Sequence, residues 1–77
     1  MQITIIKTHP NSVKLQFEDG FAIHPAGTLI AVADESDAIS FKLLASRKTI
    51  YSANINELTP AGGTPKETIE LINDLLN

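Results

Sequence analysis

The order of apolar and polar residues along the chain predicts a series of short strands followed by one helix. Residues 12–18 alternate strictly between apolar and polar side chains, which is the pattern of a half-buried strand. Residues 38–44 repeat this alternation, and β-branched residues dominate residues 2–8 and 49–55, where they favour strands. We therefore expect six strands, in residues 2–8, 12–18, 21–23, 28–33, 38–44 and 49–55.

The alternation also predicts how the second and third strands are joined. A three-residue loop over residues 18–20, with Gly20 in a left-handed conformation, pairs Phe17 with Phe21 and places Ile23 on the same apolar face. A loop one residue shorter leaves both Phe21 and Ile23 on the polar face. Because burial of apolar side chains fixes strand register, we predict the three-residue loop.

The predicted fourth strand is so apolar that other parts of the protein, or a partner, are expected to cover it. Residues 28–33 read TLIAVA and are nearly all apolar, which predicts a central strand with both faces covered. If the rest of the domain leaves the side chains on one face of this strand uncovered, that face would be an assembly surface. The only basic pair lies on the turn before residues 49–55 and can meet a phosphate backbone or an acidic patch on a partner protein. The predicted interaction surface therefore comprises Leu29, Ile30, Val32, Arg47 and Lys48.

The last fourteen residues, 64–77, predict a capped helix. Thr64 suits the N-cap, Pro65 the first helical position, and Glu67 stands three residues after the cap as in a capping box. The remaining residues separate into an apolar stripe and a polar face that includes Asn73. The stripe comprises Ile69, Leu71, Ile72, Leu75 and Leu76. Residues 56–63, with one proline and two adjacent glycines, predict a long irregular connection.

Strands in succession and a single final helix favour an α+β fold. We expect a mainly antiparallel β body of about six short strands, forming a small barrel or a sandwich, with one C-terminal α-helix. The chain is predicted to be one compact domain, 1–77, made of a β body (1–55), a loop (56–63) and the helix (64–77). A domain of 77 residues without cysteine has a small core and no disulfides, so a neighbouring subunit is the expected additional support.

Composition and spacing narrow the classes of function. Six basic against nine acidic residues, a net charge of −3, provide no basic surface for nucleic acid, and no apolar run approaches the roughly 20 residues of a membrane span. Asp34, Glu35 and Asp37 lack the glycine and distal glutamate of a calcium loop, and neither His9 nor His24 has a neighbouring nucleophile. We expect no enzymatic activity, no metal and no cofactor.

The C-terminal residues resemble those of a known group of proteins. NELTPAGGTP in residues 56–65 and INDLLN in residues 72–77 are similar to the endings of small bacteriophage virion proteins, with their proline–glycine loop, Thr-Pro helix start and leucine–asparagine finish. The resemblance implies a structural component of a phage particle, a capsid auxiliary or head-tail protein, and transfers no catalytic residues. Its partners would be copies of itself or a larger capsid or tail scaffold, and its location the virion, assembled in the host cytoplasm; without the resemblance the expected location is cytoplasmic.

Two other classes of function remain open from the sequence. A small-barrel binding module for nucleic acid or peptide requires a clustered basic or aromatic face, and the acidic balance of the chain counts against nucleic acid. A small hydrolase requires the fold to bring His9 and His24 together.

Overall fold

The computed structural model describes residues 2–36 and 38–77. They form seven strands, one turn of 3-10 helix and one α-helix, in the order β1 (Ile3–His9), β2 (Ser12–Phe17), β3 (Gly20–Pro25), β4 (Leu29–Ala33), β5 (Ala38–Leu43), β6 (Thr49–Asn54), the 3-10 turn (Ile55–Glu57), β7 (Leu58–Thr59) and α1 (Pro65–Leu76). The predicted α+β class, mainly antiparallel with a C-terminal helix, is confirmed. The segment predicted to be irregular, 56–63, contains the seventh strand.

The strands form two sheets. The first has the order β3-β2-β1-β7 and the second the order β4-β5-β6. All neighbours are antiparallel except β1 and β7, which run parallel and pair Ile3 with Leu58. Among the described residues no hydrogen-bonded strand pair joins the two sheets, so of the two predicted architectures the structure has the sandwich.

The core lies between the sheets and under the helix. Its buried side chains alternate along the strands as expected for sheets with one inner face, and it comprises Ile3, Ile5, Val13, Leu15, Leu29, Ala31, Ile39, Phe41, Ala53, Leu58, Ile72 and Leu76. Tyr51 packs across the core, with its ring centroid 5.1 Å from that of Phe17 in the other sheet and 6.4 Å from that of Phe41 in its own. These contacts show that Tyr51 points inward.

The helix begins at the predicted cap. The hydroxyl of Thr64 accepts a hydrogen bond from the Glu67 N–H (3.2 Å) and donates one to the Glu67 carboxylate (3.1 Å). Behind the cap, the buried Thr68 hydroxyl accepts from the Gly62 N–H (2.9 Å) and so fastens the preceding loop to the helix. The buried stripe is narrower than predicted, because Leu71 is 42% exposed.

The predicted hairpin register is wrong. The structure pairs Phe17 with Gly20 across a two-residue turn, so Phe21 lies opposite Gln16 and Ile23 opposite Lys14. The inner positions of β3 belong instead to Ala22 and His24. The His24 Nε2 lies 3.1 Å from the Tyr51 hydroxyl. The inner face of β3 therefore carries a polar contact across the core where Ile23 was predicted to be buried.

The prediction of a central fourth strand is also wrong. β4 is an edge strand of its sheet; its residues alternate between buried and half-buried from Leu29 to Val32, and Ala33 is exposed. Its apolar composition reflects the helix, which lies along its free edge. There the Ala31 N–H donates to Asn73 Oδ1 (2.9 Å) and Asn73 Nδ2 donates to the Ala31 carbonyl (3.0 Å). Asn73 was predicted to face water, yet its amide makes the two backbone hydrogen bonds that a neighbouring strand would otherwise make with Ala31.

Candidate functional site

The outward face of β1, β2 and β3 is the candidate functional site. Five large apolar side chains are exposed among the described residues, and three of them lie on this face: Ile6 (42%), Phe21 (60%) and Ile23 (56%). We call these three residues the outer patch. Such a cluster differs from single exposed apolar residues, which are ordinary on any protein surface.

Cross-strand pairing brings the outer patch together. Ile6 lies opposite Lys14, and Lys14 lies opposite Ile23, so one row of side chains crosses all three strands. Gln16 lies opposite Phe21 in the adjacent row. Residues directly opposite in antiparallel strands project to the same side of the sheet. The patch is therefore two neighbouring rows, apolar at both ends of the first and at the β3 end of the second.

The polar residues between the apolar ones do not cover them. The Lys14 ammonium lies 4.9 Å from the centroid of the Phe21 ring, a cation–π contact that leaves the ring 60% exposed. The Gln16 amide turns toward the hairpin and donates to the carbonyl of Gly20 at 3.0 Å. The centre of β2 thus contributes side chains that hold the ring and the turn in place while the outer patch stays accessible.

The outer edge of β3 adds backbone hydrogen-bonding groups to the patch. β3 is the terminal strand of its sheet, and the Ala26 N–H donates to the Asn11 carbonyl (2.9 Å). Hydrogen-bonded and non-hydrogen-bonded pairs alternate along an antiparallel ladder. Counting from this bond, Ala22 and His24 direct their backbone groups toward β2, while Phe21 and Ile23 direct theirs outward. The two outward positions carry the two most exposed apolar side chains.

The outer edges of β4 and β3 differ in what lies along them. The free edge of β4 is covered by α1, where Asn73 satisfies both backbone groups of Ala31 and the Gly27 N–H donates to the Leu76 carbonyl (2.7 Å). Within the described residues, no element lies along the outer edge of β3 as a hydrogen-bonded strand. An unpaired edge with apolar side chains is a template for a further strand.

None of the residues predicted to form the interaction surface belongs to the outer patch. Leu29 is 1% exposed and belongs to the core, so its placement on an interaction surface is corrected: it lies on the inner face of β4. Ile30 and Val32 are half-buried on the opposite side of that strand. Arg47 and Lys48 are exposed on the turn between β5 and β6. The structure therefore places these residues on the second sheet, apart from the outer patch.

The outer patch was not predicted from the sequence because the predicted register places Phe21 and Ile23 on the inner face. Phe21 and Ile23 were assigned to the core on the ground that apolar residues share a face. The available signal was in β3 itself, where Ala22 and His24 alternate with them and form an equally regular inner row. That His24 finds a hydrogen-bonding partner in Tyr51, 27 residues away in sequence, is information that local patterning does not contain.

The acidic segment after β4 forms a hydrogen-bonded turn. The Asp34 carboxylate accepts hydrogen bonds from the N–H groups of Ser36 (2.9 Å) and Ala38 (3.1 Å) and from the Ser36 hydroxyl (2.9 Å). The bonds from Ser36 are the main reason that the pKa of Asp34 lies below its ordinary value of 3.8. Asp37, the third acidic residue considered there, lies outside the described residues.

The two histidines lie in different strands of the first sheet. His9 ends β1 and His24 belongs to β3, with β2 between them. His24 is engaged with Tyr51, its ring edge-on to the phenol ring at a centroid distance of 5.9 Å. The fold therefore does not place His9 beside His24.

The described residues, 2–36 and 38–77, show neither a metal site nor a pocket. They contain no cluster of three or more histidine, cysteine or acidic residues able to hold a metal ion, and no pocket opens on their surface. No helix in the described part of the chain has the length and apolar character needed to cross a membrane. Comparisons of the chain with protein-family models, with curated proteins and with solved structures find no match.

Proposed function

We propose that this chain is a non-enzymatic assembly protein that binds protein partners through the outer patch. The observation that carries the proposal is the concentration of Ile6, Phe21 and Ile23 on one face of the sheet, with exposed fractions of 42%, 60% and 56%. Apolar side chains held in two rigid rows form a surface that loses contact with water when a partner docks. The adjoining strand edge adds directional hydrogen bonds to that contact.

We further propose that the assembly is a bacteriophage particle, in which the chain serves as a capsid auxiliary or head-tail protein. The support is the resemblance of residues 56–65 and 72–77 to the endings of small virion proteins. This narrower proposal predicts that peptides of the chain occur in gradient-purified phage particles carrying its gene. Their absence from intact particles would overturn the virion role.

Light scattering across a range of concentrations tests the assembly function. The wild-type mass is expected to rise from the monomer to a discrete oligomer, and a variant carrying Ile6→Thr, Phe21→Thr and Ile23→Thr is expected to remain monomeric at the same concentrations. Threonine is β-branched and suits strands, so it removes much of the apolar surface without disfavouring the strand conformation.

The matched control is Leu71→Gln. Leu71 is also 42% exposed, like Ile6, but it lies on α1. This variant should assemble as the wild type does. A wild-type chain that stays monomeric at the highest concentration would contradict the assembly function, and a triple variant that assembles normally would assign the assembly to another surface.

A further inference from the structure

We propose that the partner at the outer patch is a second copy of this chain, whose β3 pairs antiparallel with β3 of the first copy about a two-fold axis at Ala22. This inference rests on the proposed assembly function and specifies its first contact. The paired sheets would form one continuous sheet of eight strands, four from each copy. Closed two-fold contacts of this kind are the commonest in soluble oligomers.

The edge of β3 is complementary to itself. Its outward backbone N–H groups belong to Phe21 and Ile23, which stand symmetrically on either side of Ala22; Pro25, the next outward position, has no N–H. A two-fold axis at Ala22 places Phe21 opposite Ile23 of the second copy, and Ile23 opposite Phe21 of the second copy. Each of these two pairs exchanges an N–H and a carbonyl bond, because outward groups on both strands then meet in hydrogen-bonded pairs.

The same axis joins the two outer patches. Phe21 and Ile23 lie on the outward face of their sheet, so pairing them across the axis places an aromatic ring beside a β-branched side chain on both sides of the junction. Such cross-strand pairs are among the stabilising contacts in sheets. The apolar ends of the rows in each copy thus become the centre of the joined sheet.

Charge selects the antiparallel arrangement over the parallel one. The exposed acidic residues Glu18 and Asp19 form the turn immediately before β3. Parallel pairing of two β3 strands would bring two copies of this turn side by side, and like charges repel. The two-fold arrangement places the turns at opposite ends of the pair.

The size of the contact predicts a pair that dissociates on dilution. The outer patch exposes on the order of 300 Å² of apolar surface per copy, whereas a stable complex buries about 800 Å² per partner. The four backbone bonds supplement the apolar contact without making the interface large. The pair is therefore expected to form in concentrated solution, or in a particle that holds many copies close together.

Amide hydrogen exchange of three consecutive residues tests this pairing in the wild-type chain. The Ala22 N–H points toward β2 and should exchange slowly at every concentration. The N–H groups of Phe21 and Ile23 point outward, so they should exchange rapidly in dilute solution and slow by about tenfold when nine-tenths of the chains are paired. Residue-resolved exchange measured by NMR at low and high concentration distinguishes the three.

Two substitutions at one position separate the side chain from the backbone. Ile23→Thr removes much of the apolar side chain but keeps the outward N–H, whereas Ile23→Pro removes both. Proline is tolerated on an edge strand where its nitrogen faces solvent. We expect Ile23→Pro to be monomeric by light scattering and Ile23→Thr to retain measurable association, with Leu71→Gln as the unaffected control.

The outcomes distinguish this inference from the function on which it rests. An oligomer in which Phe21 and Ile23 amides still exchange rapidly would overturn the strand pairing and leave assembly through the patch intact. A chain that is monomeric at every concentration, and whose Phe21 and Ile23 amides gain no protection from an added alternating Val-Thr hexapeptide, would overturn both. Protection that appears only when an alternating Val-Thr hexapeptide is added, while the mass remains that of a monomer, would replace the second copy by an extended peptide.

Discussion

Gly20 begins β3 and Gly27 lies in the turn between β3 and β4, and their backbones differ. Gly27 has φ of 81°, in the left-handed region that residues with a side chain enter at a cost of about 1–2 kcal/mol. We expect Gly27→Ala to lower the free energy of unfolding by that amount in urea titrations. The Gly27 N–H also donates to the Leu76 carbonyl, so the substitution strains the site where α1 ends against β4.

Gly20→Ala is the matched control for that substitution. The sequence predicted a left-handed Gly20, but the structure places it opposite Phe17 in the ladder, and a Cβ atom there would have no neighbour within 4 Å. Gly20→Ala should therefore leave stability unchanged or raise it by up to about 1 kcal/mol, because it restricts the unfolded chain. A loss of stability equal to that of Gly27→Ala would mean that Gly20 has a left-handed backbone after all.

Asp34 gives the chain a predictable response to acid. Hydrogen bonds from Ser36 lower the pKa of Asp34 in the folded state below its ordinary value of 3.8. A carboxyl group of this kind contributes stability that is fully present above the unfolded-state pKa and is lost as the pH falls through the lower folded-state pKa. The stability difference between wild type and Asp34→Ala should therefore be largest near neutral pH and shrink below pH 3.8.

Carboxyl ¹³C shifts measured through an acid titration would report the Asp34 protonation directly. Ser36→Ala removes the hydroxyl donor and keeps the backbone donor, so it should raise the pKa of Asp34 part of the way toward the ordinary value. An Asp34 midpoint that does not move in this variant would contradict the contribution of the Ser36 hydroxyl.

At the scale of elements, the Asn73 amide joins α1 to the free edge of β4. Ala31 is 1% exposed, and both of its outward backbone groups bond to the Asn73 amide. Asn73→Ala would leave a buried N–H and a buried carbonyl unpaired, at a cost of about 1–3 kcal/mol for each group that water cannot reach. We expect a matching fall in the free energy of unfolding, measured in urea.

Asp74→Ala provides the control on the same helix. Asp74 is exposed at the next position, and alanine is a good helix former there, so this substitution should change stability by less than about 0.5 kcal/mol. Equal effects of Asn73→Ala and Asp74→Ala would mean that the amide does not act as the neighbour of β4.

The elements that the sequence predicted well are those determined by nearby residues. Thr64, Pro65 and Glu67 identify the helix start because a cap is a contact between residues three apart. β7 was missed because it is two residues long and pairs with Ile3, far away in sequence. Asn73 was predicted to face water because the helical pattern only separates apolar from polar residues. That pattern cannot indicate that the amide of a polar residue will hydrogen-bond to a strand edge.

The candidate site was the least predictable part for a related physical reason. Burial fixes strand register where the apolar residues of a strand belong to the core, and it does not where a protein keeps those residues on its surface. Phe21 and Ile23 are such residues, and Ala22 with His24 fills the inner row instead. The difference between predicted and observed register therefore lies at the site proposed to bind a partner.

At the scale of the whole molecule, the proposed assembly has a definite dependence on salt. Each copy carries a net charge of −3, so two copies repel each other weakly at low ionic strength. The contact between them consists of apolar side chains and backbone hydrogen bonds, with the acidic turns held apart. Added salt screens the repulsion and removes no ion pair from the proposed interface, so association should tighten as sodium chloride rises from low to near-molar concentration.

Sedimentation equilibrium at several salt concentrations measures this dependence through the dissociation constant of the pair. A smaller dissociation constant at high salt is the expected result for the wild type. Ile23→Pro should remain monomeric at every salt concentration because residue 23 then lacks the outward N–H that pairs with the second copy. Lys14→Gln examines the one basic residue in the centre of the patch: it should preserve the direction of the salt effect. Association that weakens steadily with salt would require ion pairs between copies, and the axis at Ala22 would then be wrong.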